Sequence, residues 1–167
     1  HIAASAGRVF GGFLLAMFVA IPLAYFFYYS PASEKRAKLL LEALRFIPPL
    51  SLIPLLILWL GIGEAAKLSI VFLASFFPIY LNVFSGFKQI DKSYKELAFM
   101  LRLNRMERFK HIEFPASLPN IFTGLRLGFG YSWRALVGAE LIAASSGLGY
   151  LIGDAGEMSR TDKVFVG

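Results

Sequence analysis

The chain has 167 residues, of which 57% are hydrophobic, 16% aromatic and 17% charged, with a formal net charge of +6. A soluble domain averages about half apolar and a quarter charged, so this composition excludes an ordinary soluble fold. The absence of cysteine excludes disulfides, thiolate catalysis and cysteine-based metal sites.

The first element is an apolar segment over Gly7–Tyr29, with no charged residue from Val9 onward. It is long enough to cross a hydrocarbon core of about 30 Å as a helix. It ends in "YFFYY", an aromatic cluster suited to a headgroup interface. Gly7 and Gly11 make a GxxxG pair that would let another helix approach closely.

A polar turn, "SPASEKRAK", follows, with Ser33 as the expected N-cap and Glu34 in the first helical turn. Leu39–Phe46 begins a helix that meets Pro48, Pro49 and Pro54 before Gly63. Each proline removes an intrahelical donor, which predicts a kinked or broken second span. After "GIGEAAK", Leu68–Phe87 forms a third uncharged span with Pro78 near its middle, where a bend is expected.

The stretch "ELAFMLRLNRMERFKHIEFPASLP" (96–119) holds the densest charge in the chain. Ser93 and Glu96 read as a capping box, and Asn104 with Glu107 as a second one. Tyr94, Leu97, Ala98 and Leu101 share a helical face. The pattern predicts a helix, a turn near Arg102–Asn104, and a second helix stopping at Pro115. Phe99, Met100 and Leu103 would form an apolar knob with Arg102 and Arg105 as a polar rim, which suits a partner surface. A helix pair lying on anionic lipid fits the same residues. Recognition of nucleic acid is not expected, because the segment is tied between two spans.

A fourth span is expected from about Leu118 to Glu140, with Gly124 and Gly128 as another GxxxG pair. Charge inside a bilayer costs about 2.5–3.5 kcal/mol on insertion scales, so Arg126, Arg134 and Glu140 should face a cavity or a partner. Arg126, Gly130 and Arg134 lie on one face at four-residue spacing. These three ionisable residues are the candidates for a translocation path; pairing within the bundle and snorkelling are the alternative roles. The Gly-rich and then polar segment 145–163 reads as a re-entrant or interfacial hairpin.

Lysine and arginine in short loops set orientation. Residues 30–45 and 88–111 together hold eleven, against Lys67, Arg160 and Lys163 on the other side. The charged insert is therefore expected in the cytoplasm. Both ends would then face outward, and the chain reads as a fragment lacking flanking spans at each end. His1 and His111 are isolated, so no metal site is expected, and no cofactor either.

Four further blocks accompany the insert: "RFIPPLSLIPLLILWLGIGE" (45–64), "FFPIYLN" (76–82), "PASLPNIFTGLRLGFGYSW" (115–133) and "LVGAELIAASSGLGYLI" (136–152). With Glu96, Ala98, Ile112 and Pro115 in the pattern of an EAA loop, the chain resembles the permeases of ABC importers of the nitrate, sulfonate and taurine type. The likeness runs over nearly the whole chain. It implies an all-α, multi-pass permease core of about four spans in a bacterial inner membrane, one transmembrane domain over 1–167 with a cytoplasmic coupling loop at 88–117. It implies docking of a cytoplasmic ATP-binding subunit on Glu96, Ala98, Phe99, Met100, Arg102, Leu103, Asn104 and Arg105. Pairing with a second permease copy and delivery of a small anion by an extracytoplasmic solute-binding protein are implied as well. Leu97 and Phe114 depart from the family pattern, and Arg102 stands where the family has glycine. Because arginine adopts a left-handed conformation at a cost, the turn is expected to shift to Asn104, or the first helix to lengthen. The sequence has no G-x-x-x-x-G-K-[ST] loop, so an ATP site would belong to a partner. A channel or secondary transporter with a regulatory hairpin, and an intramembrane enzyme, are the rival classes. No nucleophile–base cluster supports the enzyme, and no catalytic residue is assigned.

Overall fold

A computed structural model describes residues 1–160 and Val164. Its described residues are helical with no strand. The helices are α1 (Ile2–Tyr29), α2 (Pro31–Arg45), α3 (Ile53–Leu60), α4 (Glu64–Lys88), α5 (Lys92–Met100), α6 (Arg105–Arg108), α7 (Phe114–Ala143) and α8 (Leu148–Glu157). A 3₁₀ turn at Pro49–Leu52 precedes α3, and a π turn at Phe109–Glu113 joins α6 to α7.

Helix α4 is the centre of the bundle, packed on α7 along one side and on α1 along the other. Small residues make this possible. Gly12, Ala16, Ala20 and Ala24 form a buried stripe down α1, four residues apart. The core on this stripe includes Phe76, Ile79, Val83 and Phe87 of α4 and Ile121 of α7. The close approach expected at Gly7 and Gly11 falls on Gly12 instead. A Cβ there would lie 2.6 Å from Val71 Cγ1, whereas one on Gly7 would meet nothing within 4 Å. The second glycine pair works as its spacing suggests: Cβ atoms at Gly124 and Gly128 would meet Asn82 Cβ at 2.9 Å and Ile79 Cγ1 at 2.8 Å.

Helices α1 and α4 are long and apolar enough to cross a membrane. The second span is broken as its prolines require: α2 and the Pro49–Leu60 segment meet at 82°, and would make a third crossing only as one bent unit. No residue of α2 is buried. Helix α7 has 30 residues, and at 1.5 Å each is about 45 Å long. Arg126, Arg134 and Glu140 keep it below the apolarity of the other two.

Several local expectations are corrected. The N-cap of α2 is Ser30, with Pro31 opening the helix, not Ser33. Asp91 caps α5: its carboxylate accepts the Ser93 N–H at 2.8 Å, so Ser93 lies inside the first turn. Of the predicted α5 face only Ala98 is buried; Tyr94, Leu97 and Leu101 are exposed. Pro115 does not end a helix. The chain stays helical from Arg105 to Ala143, because the π turn re-registers the hydrogen bonds ahead of the proline. Phe114 N–H donates to the Phe109 carbonyl five residues back. The region expected to form a re-entrant hairpin turns at Gly147 and folds back as α8 against α7. Lys163 and the end of that segment lie outside the described residues.

Candidate functional site

The α5–α6 hairpin links α4 to α7 and leaves the bundle at one end. Its turn answers the question posed by Arg102. Arg102 itself adopts φ +51°, while Asn104 is extended at φ −69°, so the turn has not shifted. Leu103 N–H donates to the Ala98 carbonyl (3.1 Å) and Arg102 N–H to the Phe99 carbonyl (3.0 Å). This is a Schellman motif with arginine at the position that usually carries glycine. Ala98 is buried and Leu103 half-buried, the pair of positions whose apolar contact accompanies that motif. Asn104 serves instead as the cap of α6. Its side chain accepts the Glu107 N–H at 2.9 Å while the Glu107 carboxylate accepts the Asn104 N–H at 2.9 Å, the capping box the sequence predicts. Phe99 and Met100 project from the hairpin, 85% and 79% exposed. They line, with Lys95, Arg102, Leu103 and Arg108, a hollow of about 540 Å³. Glu96 and Arg105 are exposed beside them.

Where the hairpin meets the bundle lies a polar cluster. The buried carboxylate of Glu113 accepts the Tyr29 hydroxyl at 2.6 Å and the Tyr25 hydroxyl at 3.4 Å. Arg108 Nε pairs with it at 2.8 Å and also donates to the Tyr29 oxygen at 3.0 Å. The Arg105 guanidinium lies over the Tyr29 ring at 4.0 Å, and Lys95 Nζ over Tyr28 at 5.6 Å.

A second cluster closes the opposite end. Arg8 binds Glu64 bidentately, at 2.6 and 2.7 Å, and reaches Glu140 at 2.7 Å. Glu140 is 1% exposed. It also accepts the Ser5 hydroxyl at 2.8 Å and the Gly149 N–H at 3.0 Å, so it neutralises the N-terminus of α8. Lys67 adds a bond to Glu64 at 3.1 Å. Gly147, at φ +131°, admits this carboxylate: a Cβ there would overlap the Glu140 side chain.

Between these ends, a cavity of about 710 Å³ opens where the break after α2 faces α4 and α7. Its wall is apolar, from Phe46, Leu50, Phe77 and Leu127 among others, with Arg45 and Arg134 at its edge and no carboxylate. Among the three path candidates, Arg134 lines this cavity; Arg126 is exposed on α7 outside it; Glu140 sits in the closed end cluster. The structure does not bring the three together. Among the described residues, no group of His, Asp and Glu could hold a metal ion.

The family described as binding-protein-dependent transport system inner membrane component matches residues 12–166. The chain belongs to this family. A putative aliphatic sulfonates transport permease protein of Bacillus subtilis is 38% identical over 100% of the chain and 60% of that protein. The taurine transport system permease protein of Escherichia coli is 36% identical over 100% of the chain and 61% of its own length. A nitrate import permease protein of Synechocystis is 34% identical over 99% of the chain and 60% of that protein. The chain therefore spans about three fifths of the length of these relatives. As a family member it is an inner membrane component, in keeping with its apolar helices.

Sequence reasoning missed Arg8, Glu64, Glu113 and Tyr29. Arg8 carried a signal: it is a lone charge nearly two turns inside an apolar helix. Glu113 carried a weaker one, a carboxylate between Ile112 and Phe114 just before Pro115. Tyr29 was legible only as part of an aromatic belt.

Proposed function

We propose that the chain is the transmembrane permease subunit of an ATP-driven importer, and that a separate ABC ATPase docks on its α5–α6 hairpin. One observation carries the reading: Phe99 and Met100 are almost fully exposed on a capped, rigid hairpin that is the only covalent link between α4 and α7. Two bare apolar side chains flanked by Arg102 and Arg105 are the composition of an interface core with a charged rim. Ala98, Leu103 and Asn104 hold the shape of that surface, and Glu96 is exposed on it for the partner. With no phosphate-binding loop in this sequence, ATP would bind to the partner.

In this reading, ATP-driven closure of two ATPases moves two hairpins, and two copies of the permease, paired as a homodimer, alternate their opening between the two membrane faces. A solute-binding protein delivers cargo at the face away from the hairpin, and lipid surrounds the apolar helices. The cargo is a small anion such as a sulfonate, taurine or nitrate, as the names of the relatives suggest. Two arginines and no carboxylate at the cavity between α2 and α7 support that sign of charge. Arg134 and Arg126 would border the route, and Glu140 would fix its wall by holding α1, α7 and α8 together.

The test is co-purification of the full-length permease with the ATPase of its own transporter. Phe99→Asp and Met100→Asp should each reduce the recovered ATPase at least tenfold. Undiminished recovery would refute the docking face.

A further inference from the structure

The hairpin must move more than the helix to which it is fused. Helix α7 follows it directly, because the chain is helical without interruption from Arg105 through the π turn to Ala143. Helix α1 is remote in sequence and has no such link. It ends at Tyr29, and three hairpin cations lie on the tyrosines of that end: Lys95 over Tyr28, and Arg105 and Arg108 over Tyr29. A hairpin resting on lipid would point Arg105 and Arg108 at headgroups. Here both guanidiniums lie over the Tyr29 ring, at 4.0 and 5.1 Å. The Tyr29 hydroxyl donates to Glu113 at 2.6 Å and accepts from Arg108, using its proton and its lone pair at once. The Glu113 carboxylate is 1% exposed and pairs with Arg108 at 2.8 Å. Arg108 and Tyr29 are half-buried, but the carboxylate at the centre of the network is buried and satisfied by both, so the loss of either partner weakens the link.

We infer that Tyr29, Arg108 and Glu113 form a joint that makes α1 move in step with the hairpin and α7, so that these positioning residues couple ATP hydrolysis to transport. The inference rests on the permease reading above. Arg108 lines the hollow beside Phe99 and Met100, but Tyr29 and Glu113 do not, so changes at these two open the joint without altering the docking surface.

The experiment uses the complete importer in proteoliposomes, with its binding protein and radiolabelled cargo, and measures ATP hydrolysis and uptake together. Tyr29→Phe keeps the ring and removes the hydroxyl; Glu113→Gln keeps the shape and removes the charge. Each should leave ATPase co-purification and hydrolysis within twofold of the unaltered importer while uptake per ATP falls at least fivefold. The double variant should be no worse than the more severe single one, because both open one joint. An unchanged ratio of uptake to hydrolysis, a parallel fall in both, or multiplicative effects in the double variant would overturn the joint. Should Glu113→Gln fail to assemble, Tyr29→Phe decides the matter alone by the same ratio. Failure of the unaltered chain to bind any ATPase would instead overturn the permease reading beneath it.

Discussion

Replacing Glu140 tests the end cluster most directly. Its carboxylate is buried and accepts bonds from Arg8 (2.7 Å), Ser5 (2.8 Å) and Gly149 N–H (3.0 Å). Removing one partner of a buried ion pair costs about 3–5 kcal/mol, because the remaining charge is stranded. Arg8 is not fully stranded, since Glu64 still holds it through two bonds at 2.6 and 2.7 Å. That retained pair brings the expected cost of Glu140→Leu to the lower end, about 3 kcal/mol. The buried N–H of Gly149 loses its acceptor as well, which offsets part of that relief. Glu140→Gln keeps an acceptor oxygen and should cost about 2 kcal/mol, the share due to charge. The assay is equilibrium unfolding of the full-length protein in mixed detergent micelles. The double variant Arg8→Met with Glu140→Leu should recover part of the loss, because it strands no buried charge: Glu64, which loses Arg8, is 57% exposed and keeps Lys67. A Glu140→Leu protein within 1 kcal/mol of the original, or a double variant worse than the single, would refute the account of this cluster as a paired and mutually dependent unit.

Gly128→Val should separate α7 from α4, since even a Cβ would lie 2.8 Å from Ile79 Cγ1 and 3.2 Å from the Ser75 carbonyl; a loss of about 1–3 kcal/mol in the same unfolding assay is expected. Arg102→Gly should strengthen the hairpin, because the φ of +51° costs a side-chain-bearing residue about 1–2 kcal/mol; slower amide exchange at Leu103 is the readout. Asp91 gives a pH dependence. The Ser93 hydroxyl and backbone N–H hold its carboxyl below the usual carboxylate range. The folded cap therefore binds its proton less tightly than the unfolded chain. Its contribution is complete above the ordinary aspartate pKa of about 3.9 and is lost as pH falls through the lowered value. Amide protection in the first turn of α5 should fall over that acidic range, and Asp91→Asn should flatten the profile.

Local chemistry was legible in the sequence wherever one residue decides a backbone state. The Asn104–Glu107 box forms as its spacing requires, and the prolines at 48, 49 and 54 break the second span. Gly124 and Gly128 admit α4 as a small-residue pair should. Competition between neighbours was not legible. Asp91 and Ser93 both suit an N-cap, and Asp91 wins because its carboxylate takes both the N–H and the hydroxyl of Ser93. Arg102 keeps a left-handed turn because burial of Ala98 beside Leu103 outweighs the strain, a gain invisible without the fold. Pro115 reads as a terminator, yet a single π turn carries the helix past it. As for the site, helical spacing sets Phe99 and Met100 off the face of Tyr94, Leu97, Ala98 and Leu101, but only Ala98 of that face is buried, so spacing alone does not single the pair out. The partners of Arg8 do not follow from it either, since its pairings with Glu64 and Glu140 span more than fifty residues of chain; nor does the bond of Tyr29 to Glu113, which depends on a hydroxyl that an aromatic belt would also contain.

The two polar clusters explain which parts of the bundle can act as a unit. Arg8 and Tyr29 lie at opposite ends of α1, 21 residues apart, which is about 31 Å of helix. That matches the thickness of a bilayer's hydrocarbon core, so α1 meets polar partners at both faces, with the buried stripe of Gly12, Ala16, Ala20 and Ala24 between them. At one face Arg8 ties α1 to α4, α7 and the turn into α8; at the other Tyr29 ties it to the hairpin and to Glu113 at the head of α7. With α4 clasped between α1 and α7 by the Gly12–Ala24 stripe and the Gly124–Gly128 pair, three long helices are pinned at both ends and along their length. Helix α2 has no buried residue, and its 82° junction with the following segment faces the cavity edged by Arg45 and Arg134. A load applied at the hairpin would therefore turn α1, α4 and α7 as one body, and the relative motion would be taken up at the Phe46–Pro49 break, where the cavity lies. If the chain works as the permease proposed above, shortening that break by deleting Pro48 should slow uptake without altering hydrolysis by the ATPase, and equal effects on both would place the hinge elsewhere.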